Sequence, residues 1–323
     1  MWRYVLKRLF WLVIIVLCVA VLIFTIMWFV PGDPAQVMLG SGATQSDIEQ
    51  LREQLGLDRP FFVQLGEYMY NTFIKFDLGT SYVSKAPVIE EFASRLPRTL
   101  TLGFLSVIIG MVGGIPLGVM AALHRNSFRD QGLMVFSMVF ISIPQFWLAL
   151  LMIVLFTLQL GWLPPSGVGG IEYWIMPVAA NSICNIAMNA RQTRSTVLET
   201  IRSDFVTTAR AKGLQENKVI WKHMMPNALI PVINMLGQSF GMILGGTVVI
   251  ETVFAFPGIG QYMLTGIQGR DYPVVRSCVL ILALFAAVIV LFVDLIYAFI
   301  DPRIKAQYVN YGSKKNKKGK VKV

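Results

Sequence analysis

Phe10-Trp-Leu-Val-Ile-Ile-Val-Leu-Cys-Val-Ala-Val-Leu-Ile-Phe-Thr-Ile-Met-Trp-Phe-Val30 is a run of twenty-one residues without a charge. Its reading decides the fold class. Coiled as an α-helix at about 1.5 Å per residue it reaches about 32 Å, which matches the roughly 30 Å hydrocarbon core of a bilayer. Arg3, Lys7 and Arg8 stand just before it. A cleaved secretory signal has a shorter apolar stretch and ends on small residues, whereas Trp28-Phe29-Val30-Pro31 follows here. The run therefore reads as a retained transmembrane helix.

Five more apolar runs follow, at residues 99–123, 133–160, 173–190, 229–250 and 273–300. Over the 323 residues, 55% are hydrophobic and 14% charged, against about 25% charged in a typical soluble domain. That deficit is too large for a buried core alone, so apolar surface must face lipid. An all-α membrane protein with six transmembrane helices is expected, both termini on one side.

Residues 31–98 differ from the rest. They are charged, punctuated by Gly and Pro, and hold no apolar run of membrane length. Two amphipathic helices are expected there, at 47–57 and 60–76. Sixty-eight residues are too many for a connector without structure of its own. The expected organisation is an N-terminus and first helix (1–30), an outer segment (31–98), a five-helix core (99–300) that includes a basic connection at 191–227, and a basic tail (301–323).

Charge sets the orientation. The N-terminus, the 124–130 turn, the 191–227 stretch and the tail hold 20 of the 28 Lys and Arg. The other side holds 12 of the 18 Asp and Glu. By the positive-inside rule both termini are cytoplasmic and residues 31–98 face outward. The same clustering beside apolar runs argues against nucleic acid as the partner of the +10 net charge. Lys314 to Lys322 hold six of the tail's eight basic residues, a segment suited either to anionic lipid headgroups or to simple solvation.

Cys18, Cys184 and Cys278 all lie within apolar runs, and three such thiols make no disulfide framework. His124 and His223, the two histidines, fall in cytoplasmic connections. No nucleophile–base pair, metal-ligand spacing or phosphate-cradling Gly-Lys-Ser/Thr loop appears, so no catalytic, cofactor or metal site is expected in this chain. Nor is there a charge ring of the channel type.

Three stripes carry polar or small residues at helical spacing. Gly110, Gly114 and Gly118 line one helix face, as do Gly237, Gly241 and Gly245. Faces without Cβ atoms let a neighbouring backbone approach, for tight packing or for sliding during gating. Asn181, Asn185 and Asn189 form the third stripe. Amides have no partners in lipid, so they must face inward; they either border a polar passage or bond neighbouring helices. Asp294, two helical turns before Asp301, is the one acid within an apolar run, and its place near the cytoplasmic end suits a structural partnership.

The most telling stretch is Asp204-Phe-Val-Thr-Thr-Ala-Arg-Ala-Lys-Gly-Leu214, followed by His223-Met-Met-Pro-Asn227. It reads as a helix, a break at Gly213, and a second amphipathic helix stopped near Pro226. Between two spans this would be a rigid basic knob for a cytoplasmic partner.

That stretch resembles the EAA loop of ABC importer permeases. Thr208-Ala209, Gly213 and Pro226 occupy the motif's places, and Thr207 stands where the motif name has Glu, a departure common in the peptide-importer branch. Other segments are similar to the dipeptide/oligopeptide/nickel permease family: Pro31-Gly-Asp-Pro34, Leu55-Gly-Leu-Asp-Arg-Pro60, Asp77-Leu-Gly-Thr-Ser81, Arg95-Leu-Pro-Arg-Thr-Leu100, Glu251-Thr-Val-Phe-Ala-Phe-Pro-Gly-Ile-Gly260 and Asp294-Leu-Ile-Tyr-Ala-Phe-Ile-Asp-Pro-Arg303. The resemblance covers residues 1 to 308 and is of the first-permease type, which carries the long outer segment.

The resemblance implies a type I importer fold in a prokaryotic cell membrane. It implies a homologous second permease, two ATPase subunits that bind ATP and Mg, and an extracytoplasmic solute-binding protein. Thr208, Ala209, Arg210, Ala211, Gly213, Leu214 and Pro226 would form the ATPase-coupling interface, with residues 209–222 touching that subunit. Di- or oligopeptides are the implied cargo, with nickel or another metal chelate and glutathione as alternatives in the same family. Outside the family, a secondary transporter would show inverted repeats and an ion site, and a membrane-anchored scaffold would need neither the Asn stripe nor the Gly213 break.

Overall fold

A computed structural model describes residues 2–40 and 42–300. The first apolar run lies in α1 (Trp2–Phe29). The outer segment then folds as α2 (Pro34–Leu39), α3 (Gln45–Leu55) and α4 (Phe61–Phe73). Local chemistry fixes their ends. Asp33 accepts from Ala35 N at the start of α2. Thr44 and Asp47 form a reciprocal capping box on α3, and Gly56 closes that helix at φ 67°, a left-handed geometry glycine adopts without strain. The two helices expected in this segment are thus present, with ends shifted by a few residues from the apolar pattern. Among the described residues there is no strand, only an isolated antiparallel bridge between Thr80 and Pro87.

α5 (Val88–Leu123) is 36 residues long and begins inside the segment expected to be extramembrane. Apolarity marks where lipid begins, while the helix itself continues beyond it; Glu90 and Glu91 in its first turn suit the positive end of the helix dipole. The run at 133–160 is not one helix. It forms α6 (Phe128–Ser142) and α7 (Gln145–Met152), the latter passing into a π-helical stretch at Ile153–Gln159. The two halves are bent by 100°. Pro144 is the cause: the residue before a proline is pushed from helical to extended backbone, and Ile143 sits at φ −76°, ψ 125°.

α8 (Glu172–Thr200), α9 (Asp204–Ala211) and α10 (Glu216–Lys218) follow. A π-helical stretch at Val219–Met224 leads directly into α11 (Met225–Val253), and α12 (Ile259–Gln268) and α13 (Tyr272–Ile300) complete the described chain. By length and apolarity, three described helices are able to cross a membrane, Val5–Phe29, Val88–Leu123 and Tyr272–Val293, with a fourth if the bent pair is one span. α8 and α11, each 29 residues, are long enough but fall outside that criterion. For α8 the reason is its surroundings. It packs on α5, α6, α7 and α11, and a helix enclosed by protein needs no lipid-compatible perimeter.

The core falls into layers along the helix axes. At one end, Val119, Val197, Val206, Val219 and Met224 join α5, α8, α9 and the π stretch. Midway, Leu102, Met176, Ile250 and Phe254 join α5, α8 and α11. At the other end, Val88, Phe92, Ile259 and Val274 join α5, α12 and α13. α1 packs on α13 and on α4. A cavity of about 540 Å³ opens between α1, the outer segment and α13, bordered by Asp33, Arg52, Tyr68 and Arg276. The side chain of Asp294, Asp301 and the basic tail lie outside the described residues.

Candidate coupling surface and amide seam

The knob expected at 204–227 is present, with one correction. α9 begins after Ser203, and Val206 and Ala209 bury their side chains in the cluster beneath. Gly213 has φ 74°, the left-handed turn that reverses the chain between α9 and α10. No heavy atom lies within 4 Å of where its Cβ would be, so conformation rather than crowding selects glycine here. Arg210 bridges the turn: its Nη2 and Nε donate to Glu216 Oε1 at 2.5 and 3.2 Å. That contact holds the Glu216 carboxyl below its ordinary range and raises the Arg210 guanidinium.

The correction concerns Pro226. It does not stop a helix; it sits in the first turn of α11, which continues to Val253. Proline removes an N–H that would bond four residues back. The π stretch just before it, where bonds reach five residues back, absorbs that loss without ending the rod. The knob is therefore welded to α11 rather than hinged from it. Val219, Ile220 and Met224 face inward, while Thr208, Ala211, Phe205 and Trp221 are exposed. Of the coupling residues expected from sequence, Thr208, Arg210, Ala211, Gly213 and Pro226 are exposed, Leu214 half-buried and Ala209 buried. Phe205 and Trp221 were not singled out by the motif; two large apolar residues in an otherwise basic connection were the available clue.

The glycine and asparagine stripes meet each other. A Cβ on Gly110 would lie 2.7 Å from Asn185 Cβ, and one on Gly114 2.6 Å from Asn189 Cβ. On Gly118 it would press closer still, onto the Ala190 carbonyl oxygen. The α5–α8 contact is therefore as close as backbones allow, with Asn189 only 2% exposed. Asn185 Nδ2 donates to the Asn181 carbonyl oxygen at 2.8 Å, an intrahelical bond. Asn181, 3% exposed, accepts from Gln145 Nε2 at 2.6 Å, and its own Nδ2 has no partner among the described residues. In this conformation the stripe faces the bundle interior, with Asn181 and Asn189 sealed from water.

The second glycine stripe is less uniform. Gly237 meets Val293 of α13 and Gly241 meets Val290, whereas Gly245 faces open space. Residues four apart advance about 40° around a helix of 3.6 residues per turn, so eight residues carry Gly245 off the contact line.

Three buried acids that sequence reading passed over tie the elements together. Glu251, fully buried, accepts from Thr99 Oγ1 at 2.7 Å and from the backbone N–H of Gly260 and Gln261 at 2.7 and 3.1 Å. Thr99 in turn accepts from Ile259 N at 2.8 Å. The carboxylate caps α12 and clamps α11 to α5. Gly258 and Gly260 make the room, since a Cβ on either would collide with the Glu251 carboxylate. Asp271 accepts from Ser81 Oγ at 2.5 Å and from Tyr82 N at 3.1 Å, pinning the outer segment to α13. Asp130 pairs with Arg194, joining α6 to α8. The clue for Glu251 was an acid directly after an apolar run and seven residues before Gly-Ile-Gly.

The family described as the binding-protein-dependent transport system inner membrane component matches residues 114–306, and its N-terminal membrane component matches residues 1–103. The chain belongs to this family of ABC importer permeases. The permease is 40% identical over 309 residues to a putative peptide transport system permease protein of Brucella abortus, covering 93% of its own length and 98% of that protein. It is 40% identical over 305 residues to the glutathione transport system permease protein GsiC of Escherichia coli O6:H1, covering 94% and 99%. A solved inward-facing structure of the MetNI methionine ABC transporter superposes with a TM-score of 0.56 at 20% identity, over 66% of this chain and 98% of that one. This last likeness establishes the importer permease fold alone.

Proposed function

We propose that this permease translocates di- or oligopeptides handed over by an extracytoplasmic solute-binding protein, within a complex of two homologous permeases and two ATPase subunits. The observation that carries the coupling role is the knob itself. A short exposed helix, a left-handed Gly213 and a π-linked rod give a rigid basic protrusion continuous with α11. Closure of an ATPase pair against residues 209–222 would then be transmitted to the bundle as a rigid displacement, a shift between inward- and outward-open populations. ATP and Mg are bound by the partner subunits, and this chain carries no cofactor and does no chemistry. The basic flanks support a cytoplasmic position for the knob and both termini in a prokaryotic cell, with α8 and α11 completing six spans.

The amides divide by role in this reading. Asn185 and Asn189 hold the α5–α8 seam. Asn181, with its spare Nδ2 beside the α6–α7 bend, borders the path. Neutral amides hold a peptide backbone weakly enough to release it. The outer segment caps the outer mouth, where α3 and the 77–87 loop meet the binding protein.

Peptide cargo is supported by the Brucella relative, and the GsiC relative supports a second reading within the same chemistry, since glutathione is a tripeptide. The deciding experiment is mass spectrometry of the ligand that co-purifies with the cognate binding protein, followed by competition for uptake. Peptides are expected to co-purify and compete; a nickel chelate that does so instead overturns the cargo.

A further inference from the structure

We infer that α4 of the outer segment lies in the outer leaflet of the bilayer, with Phe62, Tyr70 and Ile74 against lipid chains. α4 packs on α1. Phe61 stacks edge-on to Trp28 and Phe24 at ring distances of 5.3 and 5.6 Å, and Tyr68 stacks on Phe24 at 5.4 Å. Further along, Met69 and Phe73 pack against the cluster of Val16, Ala20 and Leu280. From Trp28 to Ala20 or Val16 is roughly 12–18 Å along α1 at about 1.5 Å per residue. α4 thus runs beside the part of α1 whose free face, Leu22 among it at 58% exposed, must meet hydrocarbon.

α4 packs apolar side chains on α1 and leaves further large apolar side chains facing outward. On its outward side Phe62, Tyr70 and, just past its end, Ile74 are 81%, 54% and 64% exposed, with Val63 and Glu67 exposed beside them. Beside the residues that pack on α1, the polar groups of α4 are satisfied inward: Gln64 donates to the Leu57 and Arg59 carbonyls at 3.0 Å, while Asn71 and the buried Thr72 line the cavity beside Asp33 and Arg276. A surface helix in water turns its apolar stripe inward. A second set of large apolar residues left outward, on a helix already packed against a membrane span, suits an outer solvent of lipid. The charges near that face are partnered. Glu67 is paired with Arg59, just ahead of the helix at its outer end. Lys75 places its ammonium 5.4 Å from the Tyr70 ring centroid, a cation–π contact.

The test labels Phe62→Cys, Tyr70→Cys and Ile74→Cys with a nitroxide, in the full chain purified with its partners and carrying Cys18→Ala, Cys184→Ala and Cys278→Ala. After reconstitution in phospholipid vesicles, collisions with oxygen, which concentrates in hydrocarbon, are compared with collisions with a water-soluble nickel chelate. Oxygen should exceed the chelate several-fold at all three positions, as at Leu22→Cys on α1, with the ratio reversed at Glu49→Cys on α3. A ratio like that of Glu49→Cys overturns the inference by placing the face in water, and exclusion of both probes overturns it by placing another subunit there. In the otherwise unaltered chain, Phe62→Lys or Ile74→Lys should lower the yield of assembled complex several-fold while Glu49→Lys leaves it unchanged; wild-type yield for both α4 variants contradicts it.

Discussion

Gly213 holds a left-handed backbone with nothing near its absent side chain, so substitutions there are graded by conformation. A non-glycine residue in that region costs about 1–2 kcal/mol, less for asparagine and more for a β-branched residue. Gly213→Val should therefore abolish most ATP-driven uptake while Gly213→Asn keeps a substantial part; equal uptake by both variants would refute a role for the turn. Beside it, the Arg210 contact stabilises ionised Glu216. A carboxyl whose pKa is depressed contributes stability above its ordinary range, and the contribution is lost as pH falls through the depressed value. The Glu216 side-chain resonance should titrate below the usual carboxylate range and return to it in Arg210→Gln, as followed by carbon NMR. Glu251 is a heavier case. Removing the carboxylate strands the Gly260 and Gln261 amides and the Thr99 hydroxyl in a buried site, and each bond to a charged acceptor is worth about 1.5–3 kcal/mol. Glu251→Ala should lower the melting temperature in detergent far more than Glu53→Ala, which removes an exposed acid on α3. Equal melting of the two variants would count against the clamp.

At the scale of elements, the α5–α8 seam makes the sharpest prediction. Gly114→Ala and Gly118→Ala force a methyl well inside van der Waals distance of α8 backbone and side-chain atoms, an overpacking cost of about 1–3 kcal/mol. Gly132→Ala and Gly245→Ala meet open space and should melt like the parent. Uniform behaviour across the four would show the seam to be loose. Much of this level was legible in sequence. Apolar runs located the long helices, four-residue spacing located both stripes, and the Gly213 break proved to be a left-handed turn. What was not legible were events decided by partners distant in the chain. Nothing in residues 185–189 says that Asn185 and Asn189 would meet the glycines of α5. Glu251 reads as a loop acid until Thr99, 152 residues earlier, and Gly260 are brought to it. The bend at Pro144 was readable from the proline rule, but the surrounding apolar run masked it, as the length of α5 was masked by its polar first turns.

For the whole molecule, the layers of core place two clamps at opposite ends of the same helices. The knob is fused to the end of α11 near Met224 and Met225, and Glu251 locks the other end of α11 to α5 and α12. A push at the knob therefore has one stiff rod through which to reach the far end, which is what the proposed alternating-access coupling requires. The most direct test is accumulation of a labelled peptide in proteoliposomes holding the whole complex, with the knob and ATP on one side of the bilayer and loaded binding protein on the other. Uptake that requires both ATP and the binding protein is the predicted result. Accumulation that proceeds on an ion gradient without ATP, or that ignores the binding protein, would contradict it.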